Sequence, residues 1–456
     1  MPENNGARHS VQQALRWLTP GIKVKRWLLL AVAGGALFLN GFGRLIGSSP
    51  FLNFHVNEYV NRQLIGRDMI SPVTIEWVFM VAGLFAVYFG IRAWMRSIVA
   101  AVSPRDEQRL VDVVYERRHL ARGYRIVAIG GGTGLSTLLR GLKDYTANLT
   151  AIVTVADDGG SSGRLRHELG VLPPGDIRNC LVALADNEST MAELFQYRFN
   201  EGDGLSGHSF GNLFLAAMCG IAGDFDSAIK ESSRVLAIRG RVLPSTLSNV
   251  ALEARLADGS MVRGESAISQ STSPIASVSL IPEDCEPLDE AIEAILAADA
   301  IILGPGSLYT SVMPNLLVPG IAQAIEQSMA FKIYVCNIMT QPGETDGMTA
   351  ADHVRALLRG TNRHVFDYVL VNVEQPHRLL KRYESERAFQ VRPDVKAVSA
   401  MGVTPIYGKF VSETQLVRHD ANKLAQSLMK LIIDKLEGRG VMADVPQIVG
   451  GQASAR

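Results

Sequence analysis

Arg125-Ile126-Val127-Ala128-Ile129-Gly130-Gly131-Gly132-Thr133-Gly134-Leu135-Ser136-Thr137-Leu138-Leu139 decides the fold class. A short apolar run rich in β-branched residues predicts a buried strand. The glycines after it predict a tight turn, and the spacing from Leu135 onward predicts a helix. Glycine lets backbone approach an anion closely, and the free amides and dipole of a helix N-terminus supply the attraction. Gly130, Gly131, Gly132, Thr133 and Gly134 therefore form a candidate phosphate cradle. The spacing departs from two common patterns. Leu135 stands at the third glycine of G-x-G-x-x-G, and no Lys follows as a P-loop requires. A ligand-free βα turn is the alternative for this motif alone.

The same grammar recurs along the chain. Apolar runs at Thr150–Val155, Ala300–Leu303, Lys332–Cys336 and Tyr368–Val371 predict further parallel strands. Helix-like stretches lie at Leu135–Leu142, Ile177–Ala185, Gly211–Ile221, Leu288–Ala297 and His353–Leu358. This alternation predicts an α/β fold with a doubly wound, mostly parallel sheet. Residues Gly240–Ser279 read as strand and turn, with Ala257-Asp258-Gly259-Ser260 joining two strands of a small β insertion.

Polar residues collect where the predicted strands end, the edge at which open α/β sheets bind ligands. After the second strand come Asp157 and Asp158, then Ser161, Ser162 and Arg164. Paired carboxylates suit a hard cation such as Mg²⁺ or a general base, and each equally suits an Asx turn. Asp176 is a helix N-cap candidate with Arg178 on the following turn. His208 and Asn212 open another helix and could face a phosphate or satisfy loop backbone. Gly304, Gly306 and Ser307 repeat the cradle pattern, and Asn337 and Thr340–Thr345 follow the next strand. Four polar strand ends predict one shared cleft. A Ser-His-Asp hydrolase would need a G-x-S-x-G elbow, which the sequence lacks.

Composition narrows the partners. Lys plus Arg and Asp plus Glu each number 45, so no global field recruits a polyanion and nucleic acid is excluded as an expected partner. The four widely spaced cysteines, Cys180, Cys219, Cys285 and Cys336, fit reduced core thiols. Trp27–Gly43 and Trp77–Ile91 are apolar runs long enough, the second with its flanking residues, to cross a bilayer. Basic residues flank both outer ends, which predicts a multi-pass hairpin in the cytoplasmic membrane, with both termini and the main domain in the cytoplasm. A cleaved signal peptide and a buried core hairpin are the alternatives. Residues 1–26 form a cytoplasmic N-terminal segment, 27–95 the hairpin, 96–122 an amphipathic linker helix, 123–437 the α/β domain and 438–456 a mobile tail.

The run GGGTGLSTLLRGLK, TAIVTVADDGGSSGRLR, PPGDIRNCLVALAD, GLSGHSFGN, GPGSLYTSVMPNLLVPG, CNIMTQPGET and VRHD, in that order, resembles the gluconeogenesis factor (YvcK-like) family, relatives of 2-phospho-L-lactate transferase (CofD). The resemblance implies a Rossmann-like fold that binds a nucleotide or UDP-sugar, with a role in cell morphology and carbon balance during gluconeogenic growth. It also implies that Tyr383 and Arg418 belong to the ligand site, near the glycine loop, Asp157 and Asn212. Ala421 stands where some relatives have a phosphorylatable Thr. Two functions remain open: a ligand-sensing regulator that needs no catalysis, and a CofD-type transferase using Asp157 and Asp158. A second copy of the chain and cell-envelope proteins are further candidate partners.

Overall fold

The computed structural model describes residues 25–45, 72–102, 119–186 and 188–438. The chain divides into two units, 1–116 and 117–456, and each is described by itself. The expected N-terminal segment before residue 25, most of the linker over 96–122 and the tail after 438 lie outside the described residues.

In the first unit, helices span Lys25–Leu45 and Pro72–Val102. The second continues through residues 96–102, where the linker had been expected to begin. Both carry stretches long and apolar enough to cross a membrane, Arg26–Gly43 and Glu76–Ser97. They pack antiparallel through small residues. A Cβ on Gly34 would lie 2.7 Å from Ala86 Cβ, one on Gly83 2.6 Å from Gly34 O, and one on Gly90 2.7 Å from Ala31 N. Large apolar side chains point outward instead, with Leu29 67% and Leu84 60% exposed. Small residues at the seam let the two helix backbones approach closely.

The second unit is built on β1 (Ile126–Gly130), β2 (Leu149–Val153), β3 (Arg241–Pro244), β7 (Ala300–Leu303), β8 (Phe331–Val335), β9 (Tyr368–Asn372) and β10 (Thr404–Gly408). These form one sheet of order β3-β2-β1-β7-β8-β9-β10, and all neighbours pair in parallel. The buried faces of β1, β2, β7 and β8 explain their unbroken apolar runs, since helices cover both sides of a parallel sheet. β4 (Ala251–Leu256), β5 (Met261–Arg263) and β6 (Ile275–Ile281) form a separate antiparallel sheet. The expected β insertion is thus present, but its first predicted residues, Arg241–Pro244, belong to the main sheet. A short antiparallel pair, β11 (Val411–Glu413) and β12 (Val417–His419), follows β10.

Strand order reverses between β1 and β7, so the loops leaving them diverge and open a crevice. Close approach of those loops needs glycine. A Cβ on Gly134 would lie 2.2 Å from Pro305 O, whereas one on Gly220, in the helix Phe210–Ala222, would meet nothing within 4 Å. Gly134→Ala is therefore expected to cost about 1–3 kcal/mol by overpacking against backbone. Gly220→Ala is expected to gain about 0.5–1 kcal/mol from helix propensity. Urea unfolding of the two variants beside the parent chain checks the opposite signs.

Candidate functional site

A cleft of about 430 Å³ lies at the carboxyl edge of the sheet, within the range of small-molecule sites. Its centre is made by the two loops at the strand reversal. From the β1 loop come Gly131, Gly132, Thr133 and Gly134; from the β7 loop come Pro305, Gly306, Ser307 and Ser311. The first-turn amides of the helix Gly132–Leu142 have no intrahelical acceptor. One of them is engaged from within, because the Asp176 carboxylate accepts from the Gly132 N–H. A Cβ on Gly131 would lie 2.5 Å from Asp176 Oδ2, so only glycine admits that carboxylate. Thr133 and Gly134 line the cleft beside it.

The β7 loop is fixed by side chains from β8's extension. Asn337 Oδ1 accepts from Gly306 N at 3.1 Å, and Asn337 Nδ2 donates to Gly306 O at 2.7 Å. Gln341 Nε2 donates to Ser307 Oγ at 2.7 Å. The following turn, Leu308–Val312, is a π-helix, a wide turn often found at functional sites. The buried Glu344 accepts from Thr310 Oγ1 at 2.8 Å and from Tyr309 N at 3.4 Å. Asn315 Nδ2 donates to both Gly130 O, at 3.0 Å, and Ser311 O, at 2.8 Å, stitching the two loops together.

Acidic groups gather at the β2 and insertion side, where Asp157, Asp176 and Glu265 line the cleft. Burial pushes the Asp157 carboxyl above its usual range. Burial, with Asp157 beside it, pushes Asp176 to about 6. Burial and the nearby Asp157 and Asp176 push Glu265 to about 9. At the opposite side, Tyr383 from the helix Leu380–Ser385 and Arg418 from β12 complete the wall. The Tyr383 hydroxyl accepts from Val417 N at 3.0 Å, which fixes the ring. The buried His419 is held neutral by burial, its pKa lowered to about 4.

Several expected residues form a buried layer behind this wall. Ser161 Oγ lies 2.9 Å from His208 Nδ1 and accepts from Asn212 Nδ2 at 3.1 Å. Arg178 donates to Asn212 Oδ1 at 2.9 Å and Ser209 Oγ at 2.6 Å. Ser162 bonds Asp157, so this layer orients that carboxylate. Arg164 packs by Gly207, while Gly130 and Gly304 serve as strand-end backbone. Asp158 turns away from its neighbour: its Oδ1 accepts from Ser266 N at 2.9 Å. Asp176, a cap candidate by sequence, makes no side-chain cap on its helix; the glycine loop takes it instead. Among the described residues no three acidic, thiol or imidazole groups converge as a metal site. Glu265 carried no sequence signal, being one acid within a β insertion.

The family model described as 2-phospho-L-lactate transferase CofD matches residues 126–411. A putative gluconeogenesis factor from Nostoc sp. is 52% identical over 92% of this chain and 93% of its own length. The chain belongs to the CofD-like gluconeogenesis factor family. The gluconeogenesis factor of Bacillus subtilis is 52% identical over 68% of this chain and 98% of its own length. The crystal structure of a upf0052 family member from Bacillus halodurans, 51% identical, superposes with a TM-score of 0.66 over 68% of this chain and 99% of that one. Family membership bears out the resemblance carried by the glycine-rich motifs, and the parallel sheet bears out the α/β expectation.

The raised carboxyls predict a pH dependence. Glu265 keeps its proton in the folded chain up to about pH 9, but the unfolded chain releases it near 4.5. Folded protein therefore binds more protons between those values, and stability falls as pH rises through them. Asp176 acts in the same sense between 3.8 and about 6. Glu265→Gln removes the first contribution. The variant is expected to melt with the parent below pH 4.5 and above it by a margin that widens toward pH 9, as thermal melts across that range will register.

Proposed function

We propose that this family member binds a UDP-sugar at the strand-reversal cleft, from the inner face of the cytoplasmic membrane, and supports cell morphogenesis and carbon balance under gluconeogenic growth. The observation that carries the proposal is the joining of two glycine loops to Tyr383 and Arg418 in one cleft of about 430 Å³. Backbone amides and a guanidinium suit a diphosphate. A ring fixed through its hydroxyl offers a stacking face to uracil. Asp157 suits a Mg²⁺ ion that completes its shell with phosphate oxygens and water, as that ion prefers. The name gluconeogenesis factor, which relatives carry, supports the metabolic role, and the two apolar helices support the anchor as a membrane hairpin.

A CofD-type transferase is the second reading, favoured by the description of the matching family model. It requires Asp157, the cleft-lining member of the acidic pair, to act as base or metal ligand toward a hydroxyl acceptor. Asp157→Asn separates the readings: a transferase loses turnover while retaining donor binding.

Calorimetry of the full chain in detergent with UDP-N-acetylglucosamine and Mg²⁺ is expected to show binding. Tyr383→Ala and Arg418→Ala should each weaken it about tenfold or more. Absence of binding to UDP-sugar, GDP and NAD alike would refute the nucleotide reading. Deleting residues 1–98 is expected to move the protein from the membrane fraction to the soluble fraction, and soluble full-length protein would refute the anchor.

A further inference from the structure

The chemistry of the cleft is sorted along the sheet. Its walls run along the sheet: Glu265 from the insertion after β3, Asp157 after β2, the glycine loops after β1 and β7, and Tyr383 and Arg418 beside Ile338 and Met339 of the β8 extension. Three inter-strand spacings separate β2 from β8, roughly 14 Å at about 4.8 Å each. Such a span accommodates several ligand groups in series. The glycine-loop amides and the Arg418 guanidinium attract phosphate, so the diphosphate belongs over the central loops, between Asp157 and Arg418. The part of the ligand that reaches past Asp157 is then uncharged and must offer hydroxyl groups to the acidic end.

Glu265 is held there by its surroundings. The helix Glu265–Ile268 is pinned at its first turn because Asp158 Oδ1 accepts from Ser266 N at 2.9 Å. A Cβ on Gly159 would lie 3.0 Å from Ser266 Oγ and 3.2 Å from Asp157 Oδ1, so the Asp157–Gly159 turn and the insertion helix sit against each other. Asp158 thereby gains a role its sequence position did not suggest, that of positioning the insertion beside Asp157.

Resting on the UDP-sugar reading above, we infer that the base lies at Tyr383 and the sugar at the insertion, where Glu265 bonds the sugar hydroxyls and selects which sugar is held. The test is equilibrium binding of UDP and UDP-N-acetylglucosamine to the full chain and its variants, read as the ratio of the two affinities. Glu265→Ala is expected to reduce the preference for the UDP-sugar about tenfold, the usual effect of losing a hydrogen bond to an acid. Glu265→Asp, which keeps the acid but shortens its reach, should do the same and guards against a folding defect in the first variant. Tyr383→Ala should weaken both ligands together and leave the ratio standing. An unchanged ratio in both Glu265 variants, with binding retained, overturns the Glu265 assignment alone. A ratio that shifts in Tyr383→Ala overturns the orientation. If the unaltered chain binds neither ligand, the nucleotide reading falls and this inference falls with it.

Discussion

The contact between the β1 and β7 loops governs the rest of the site. Gly134 passes so close to the Pro305 carbonyl that no side chain fits between them, and Asn315 bonds Gly130 O and Ser311 O across the same junction. Strand reversal alone would splay these loops apart. The glycine contact and the Asn315 bridge hold them as two lips of one cleft. Asn337 then clamps Gly306 through both of its amide atoms, leaving that side chain committed to loop shape. Backbone groups and a held hydroxyl thus line the centre of the cleft, and a preorganised site loses little affinity to ordering.

Against that neutral centre the acids at one end carry a stability cost. Asp176 is buried against the Gly132 amide, and Asp157 and Glu265 share its neighbourhood. Three carboxyls so placed cannot all ionise cheaply. Arg178 offsets part of the charge of Asp157 and Asp176, while its Nη1 donates to Asn212 and Ser209 and its Nη2 to Asn179, and its buried Nε finds no partner. The Ser161–His208–Asn212 layer is best understood as the support of this arrangement. It fills the space behind Asp157 with satisfied polar groups, as a buried network must be to avoid penalty.

What the sequence made legible follows from local physics. Five strands of the main sheet announced themselves because both faces are buried and their residues are uniformly apolar. β3 did not, since Arg241–Pro244 is four residues long and ends in proline at a sheet edge, where such a residue is tolerated. The glycine loops, Asp157, Tyr383 and Arg418 were found by motif and resemblance, and the cleft unites them. Asp157 and Asp158 were indistinguishable in sequence. Asp157 lines the cleft while Asp158 accepts from Ser266 N of the insertion, a long-range partner that no composition rule encodes. Asp176 resembled an ordinary cap because its true partner, Gly132, lies more than forty residues away in sequence and one strand away in space. Glu265 could be found only once the insertion was seen to fold against the Asp157 turn.

The cleft and the apolar helices occupy separate stretches of the chain. The Bacillus subtilis relative aligns over 98% of its own length yet only 68% of this chain, whereas the Nostoc relative covers 92%. A match over 427 residues must reach into the region of the apolar helices, whereas one over 310 residues is shorter than the α/β unit itself. All residues of the cleft fall within 131–419, a stretch shorter than either match. The glycine-packed helices, Lys25–Leu45 and Pro72–Val102, lie outside that range. They draw on a different physical constraint, close packing of small residues beneath outward apolar side chains, and owe nothing to the glycine loops that form the cleft.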